Sequence, residues 1–166
     1  MKTRLSVLVA LAFGAMMVAA APASAATTVV RGVQTPVTSG PCFDANAMFS
    51  TTMDGGLLGC WWVDTLVLNV ETPSGAATFS GTEHFTGCLD TDLNAVCDTY
   101  DPAGTFHTTF TFTAKFDAEG NEIHGRCNHP IVSGTGGFAG ISGVLNFTDV
   151  VTTTPPVSPY WGPVML

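Results

Sequence analysis

The sequence predicts an all-β domain, a small antiparallel β-barrel, behind an N-terminal signal helix. Three observations carry that prediction. Past Ala25 no segment keeps a helical period, while short runs of Val, Phe, Thr and Trp alternate between turn residues. The 18 glycines and 10 prolines recur too often for long helices. With no helix to cover the edges of a sheet, closing the sheet on itself is the way to remove them.

The elements follow in chain order. Met1, Lys2 and Arg4 make a basic start, Leu5 to Ala21 is an uncharged apolar run, and Pro22-Ala23-Ser24-Ala25 offers small residues for cleavage. This is the plan of a secretory signal, so residues 1–25 are expected to be removed after Ala25. The run is short of the ~20 residues of a spanning helix, so no membrane partner is expected after cleavage. The expected destination is secretion, extracellular or periplasmic. A barrel domain is expected over 26–152, with a proline-rich extended tail over 153–166.

Strands are predicted at Thr27–Val33, Ala47–Met53, Cys60–Glu71, Ala76–Gly87, Gly104–Phe116, Glu122–Pro130 and Gly143–Thr152. The clearest is Gly104–Phe116. There Phe106, Phe110, Phe112, Ala114 and Phe116 share one face, and Thr105, His107, Thr109, Thr111, Thr113 and Lys115 share the other. Asp117 to Asn121 reads as a turn, with Gly120 free to take positive φ, so this strand and the next form a hairpin. The tail holds Pro155, Pro156, Pro159 and Pro163. Proline donates nothing to a ladder, so the tail is not expected to be a central strand.

The five cysteines, Cys42, Cys60, Cys88, Cys97 and Cys127, all follow the signal. Export would place them where disulfides persist. Cys88 and Cys97 flank a polar loop, and Cys42 and Cys60 flank a glycine-bearing turn, so these are the pairs the turns favour. Spacing alone fixes no connectivity. Cys127 is left over, as a buried small apolar residue or as a reactive thiol. Removing the signal leaves Arg31, Lys115 and Arg126 against all 13 acidic residues. A surface so poor in cations cannot neutralise phosphates, which argues against nucleic acid and anionic lipid as partners.

Several side chains could carry chemistry. Glu83 alternates with Phe79, Gly81 and Phe85 on one face. If that face lines a lumen, its carboxylate sits in apolar surroundings, a common setting for a general acid or base. A bulge turning it outward, or a satisfied buried carboxylate, is the competing reading. His129 shares a face with Ile123, Gly125 and Cys127, which aims it inward; His84 and His107 fall on outer faces. Glu83 and His129 are therefore the acid–base candidates. The spacing matches no zinc motif. Trp61 and Trp62 are adjacent, so one is core and the other is exposed or lines a lumen. The ligand-binding candidates are Trp62, Phe85, Phe110 and Cys127.

The loop from Asp90 to Asp101 places oxygens at Asp90, Asp92, Asn94, Asp98 and Asp101, positions 1, 3, 5, 9 and 12 of a calcium loop. Ala95 stands where that template needs glycine, and Asp101 where it needs glutamate. A solvated acidic hairpin loop is the competing reading, and no other cofactor is expected.

Ser133 to Gly143 is glycine-rich and fits part of a dinucleotide fingerprint, but Gly140 and Gly143 break the helix that fingerprint requires. A tight connection fits better, with Phe138 and Ile141 plugging the end of a core. This stretch, Gly134-Thr135-Gly136-Gly137-Phe138-Ala139-Gly140-Ile141-Ser142-Gly143, resembles the G-S/T-G-x-F/L-x-G-x-x-G segment of the allene oxide cyclase and dirigent barrel superfamily. Phe85-Thr86-Gly87-Cys88-Leu89-Asp90 is similar to the F-T-G-x-L/V-D stretch of bacterial members. The resemblance runs roughly from Ala76 to Asp149. It implies an eight-stranded antiparallel barrel with a lumen. It carries no catalytic residue across, and Cys88 and Cys97 depart from the usual pattern. Three functions remain: binding of a small apolar ligand in the lumen, a cyclase or isomerase using Glu83 and His129, and a structural domain with a filled core.

Overall fold

The computed structural model describes residues 26–166, so the expected signal lies outside the described residues. The strands are β1 (Thr27–Pro36), β2 (Phe49–Gly55), β3 (Leu57–Glu71), β4 (Ala76–Leu89), β5 (Ala103–Phe116), β6 (Glu122–Gly136), β7 (Ser142–Thr148) and β8 (Ser158–Met165). They close into one antiparallel barrel in sequence order, with β8 returning to pair with β1. The described residues contain no helix, as the composition predicts.

Alternation decides what the barrel encloses. In β5, Phe106, Thr108, Phe110 and Ala114 are buried, and the threonines and lysine between them face out. The β4–β5 register sets Phe85 opposite Phe106, Glu83 opposite Thr108, Gly81 opposite Phe110 and Phe79 opposite Phe112. Successive inner pairs thus stack along the barrel axis. One end is solid: Trp61, Phe85, Phe106, Phe138 and Leu145 are fully buried there with Leu57, Val164 and Ile141. Phe138 and Ile141 come from the glycine-rich turn and plug that end. Gly134 permits the approach, since a Cβ there would lie 2.2 Å from the Phe138 carbonyl oxygen and 2.6 Å from the Ile141 side chain.

Two disulfides form, Cys42–Cys60 and Cys88–Cys97, and Cys127 is free. The first ties the β1–β2 loop to β3, the second ties the end of β4 to the acidic loop. They span 18 and 9 residues, and bonds of this kind contribute roughly 2–4 kcal/mol, largely by restricting the unfolded chain.

The tail departs from expectation. Ser158–Met165 is not an extended appendage but the eighth strand, hydrogen-bonded on both sides, to β1 and to β7. Pro159 and Pro163 are four residues apart, so their missing N–H groups fall on the same side of the strand. The β7–β8 ladder skips Val144 and Leu145, while the β1–β8 ladder runs unbroken from Thr27 to Gln34. Tyr160 points inward, and its hydroxyl accepts from the Leu57 N–H (2.9 Å) and donates to the Asp54 carbonyl (3.1 Å). Gly32 makes room for it: a Cβ there would sit 2.4 Å from that hydroxyl. Trp161 points outward.

Ending the chain at Val151 should therefore leave β1 and β7 with open edges and abolish cooperative urea unfolding. Tyr160→Phe should lower the unfolding free energy by about 1–2 kcal/mol by leaving buried backbone groups unpaired. A truncated chain that unfolds like the full one would contradict the placement of β8.

Candidate functional site

Beyond the Trp61 level the barrel is hollow. A cavity of about 610 Å³ opens at the rim where β1, β3, β5 and β7 end and β2, β4, β6 and β8 begin. Its walls are apolar, chiefly Phe79, Phe110, Phe112 and Phe116 with Val63 and Leu66. Gly81 helps to keep it open, contributing no side chain opposite Phe110.

The inner end of the cavity is polar at one point. Glu83 is 4% exposed and lines the lumen. Its Oε2 accepts from the Thr108 hydroxyl at 3.1 Å and meets His129 Nδ1 at 2.5 Å. Its Oε1 has no hydrogen-bond partner among the described residues. His129 is equally buried, and its ring packs among Phe147 (centroids 4.4 Å apart), the edge of Trp61 (5.5 Å) and the face of Phe110 (5.9 Å). Its Nε2 and the Trp61 indole nitrogen are buried without hydrogen-bond partners among the described residues. One carboxylate and one imidazole are thus clamped by aromatic rings, able to share a proton across Oε2 and Nδ1 and to offer a ligand Oε1.

A second polar group lies at the rim. Asp149 Oδ1 accepts from the Ser158 hydroxyl at 2.5 Å. Glu122 faces Asp149 across Gly125, where a Cβ would stand 2.2 Å from Asp149 Oδ2 and 2.3 Å from Glu122 Oε1. Burial, then the hydrogen bond and charge of Asp149, push the Glu122 carboxyl up to about 7. No motif marks these residues. The signal that could have found them is register, because the β6–β7 pairing brings Asp149 to Gly125 through a backbone hydrogen bond of 3.0 Å.

The other candidates separate. Phe110 and Cys127 line the cavity. Burial, and the nearby Glu83 and Asp149 carboxylates, push the Cys127 thiol up, which suppresses the thiolate a nucleophile needs. Phe85 lies in the solid half, away from the cavity. Trp62 is on the outer face, stacked on His84 at 4.8 Å, with its indole N–H donating to the Cys42 carbonyl at 2.8 Å.

The acidic loop uses its oxygens on itself. Asp90 accepts from the backbone N–H groups of Asn94 and Ala95. Asp101 accepts from Thr91 and from the Asp98 N–H, and the Thr91 hydroxyl bond is the main reason its carboxyl is held below the usual range. Asp92 and Asp98 share the Asn94 amide and the Tyr100 hydroxyl. Among the described residues no group of three or more His, Cys, Asp or Glu side chains is arranged to hold a metal ion.

The folded Glu122 keeps a proton that the unfolded chain has released above its ordinary 4.5. Its contribution to stability is therefore full below that pH and is lost as pH rises through about 7. Melting temperature measured from pH 5 to 8 should fall more in the wild type than in Glu122→Gln; parallel curves would contradict the carboxylate pair. Cys127 should resist iodoacetamide at mildly alkaline pH until urea unfolds the chain, and rapid labelling of the folded protein would contradict its buried, protonated state. Compared with family models, curated proteins and solved structures, the chain matches none.

Proposed function

We propose that this chain is an exported barrel that holds one small, largely apolar molecule in its lumen without transforming it. The observation that carries the reading is the cavity of about 610 Å³, lined by six phenylalanines and open at one rim. Volumes of roughly 300–1,000 Å³ suit small ligands, and burying apolar surface there would contribute about 25 cal/mol per Å². A purely structural barrel gains nothing from leaving half its interior unfilled, since packed side chains stabilise a core. Export rests on the N-terminal signal pattern and is consistent with two disulfides.

The Glu83–His129 pair favours a second reading, a cyclase or isomerase that moves a proton between those groups and a bound substrate. Binding is preferred because, among the described residues, the nucleophile candidates beside that pair are unsuited to attack: Cys127 is held as a thiol and Thr108 already donates to Glu83.

Native mass spectrometry of protein purified from its own host should show a retained small-molecule adduct. The uncharged probe N-phenyl-1-naphthylamine should fluoresce strongly with recombinant protein, and Cys127→Phe, which fills the lumen, should weaken it about tenfold or more. No adduct and no probe fluorescence with folded wild type would overturn the reading. Recovery of the adduct as a chemically altered product after incubation would favour the enzyme.

A further inference from the structure

The lumen carries a charge pattern that an apolar ligand alone does not explain. Three carboxyl side chains, Glu83, Glu122 and Asp149, line the same cavity. No lysine or arginine lines it among the described residues, and Arg31, Lys115 and Arg126 are all exposed. The one basic group on the lining among the described residues, His129, is already committed to Glu83 Oε2.

We propose that the occupant is a lipophilic amine, its apolar body among the phenylalanine rings and its protonated nitrogen donating to Glu83 Oε1. This rests on the lumen-binding reading and deepens it by naming the ligand's class. The polarity of Oε1 supports it. Thr108 donates to Oε2, and the proton shared with His129 lies between Oε2 and Nδ1. Wherever along that line the proton sits, Oε1 is left as an acceptor, so the ligand must bring a donor. A ketone, an ester or a carboxylate brings only acceptors there, and a carboxylate also meets like charge.

Among donors, a cation gains most. Glu83 lines the cavity and its carboxyl group is hydrogen-bonded through Oε2 only among the described residues, and carboxylates bind ammonium groups more strongly than hydroxyls. Phe110 and Phe112 line the cavity, and aromatic rings attract a cation held beside them. The converging pair at the rim adds a negative potential at the mouth, focused by the apolar walls. Neutral aromatic ligands would gain from the rings but nothing from the three carboxyl groups.

The test uses one apolar body with three heads, competing with N-phenyl-1-naphthylamine on the wild-type full chain at neutral pH. The compounds are 4-phenylbutylamine, butylbenzene and 4-phenylbutyrate. The amine should bind at least about tenfold more tightly than the hydrocarbon, and the acid most weakly of the three. Glu83→Gln should erase the difference between amine and hydrocarbon. Equal affinities for amine and hydrocarbon, or preference for the acid, would overturn the amine assignment and leave lumen binding standing. Failure of all three to compete, with no probe fluorescence, would overturn both. The wild-type series decides the matter even if the substituted protein does not fold.

Discussion

Trp61 decides where this barrel is solid and where it is hollow. Its ring is fully buried, with centroids 5.4 to 6.2 Å from those of Phe147, His129, Phe106 and Phe85. An eight-stranded barrel has room for one set of packed side chains or for one small ligand at each level of its axis. At the Trp61 level the large aromatics meet and fill it. One inner pair further on, the sequence supplies Glu83 and Thr108, then Gly81 against Phe110, and the centre is left open. β3 passes this region with register shifts at Val63/Thr65 and Leu68/Val70, the signature of bulges that bend a strand at a barrel rim.

The polar pair on that boundary is costly to bury and is therefore informative. A carboxylate removed from water needs its lone pairs met, and Thr108 and His129 meet those of one oxygen only. The imidazole is fixed on three sides by aromatic rings, so neither group can swing to solvent. The same economy appears at the rim, where Gly125 lets Glu122 and Asp149 converge. A filled apolar core would be cheaper at both places, and the fold instead keeps acidic oxygens facing a cavity.

Much of this was legible in the sequence, because period two reads faces well. The alternating β5 pattern and the closed all-β architecture follow from it and from the turns, and the two disulfides are the pairs the turns favour without fixing. It also aims His129 inward and puts Glu83 on the face of Phe79 and Phe85, but leaves open a bulge that turns Glu83 outward; the fold has both on the inner face. Period two says nothing of depth along the barrel, so Phe85 and Phe110 look alike in sequence although one is in the solid half and the other on the cavity wall. Adjacency showed that Trp61 and Trp62 oppose each other but not which turns in. The proline rule hides β8 because it is local, whereas closure needs a partner for β1 and β7 and tolerates prolines whose missing donors share one ladder. The oxygens of the acidic loop imitate a calcium spacing while serving as caps for its own backbone, and only coordinates tell those uses apart.

The division into a packed half and an open half is the claim on which the rest stands, and xenon tests it most directly, because xenon enters apolar space and is seen without any assumption about the natural ligand. Crystals pressurised with xenon should show it among Phe79, Phe110 and Phe112, and none among Trp61, Phe85, Phe106 and Phe138. Phenylalanine rings collapsed together across the lumen, with no xenon inside the barrel, would contradict the account.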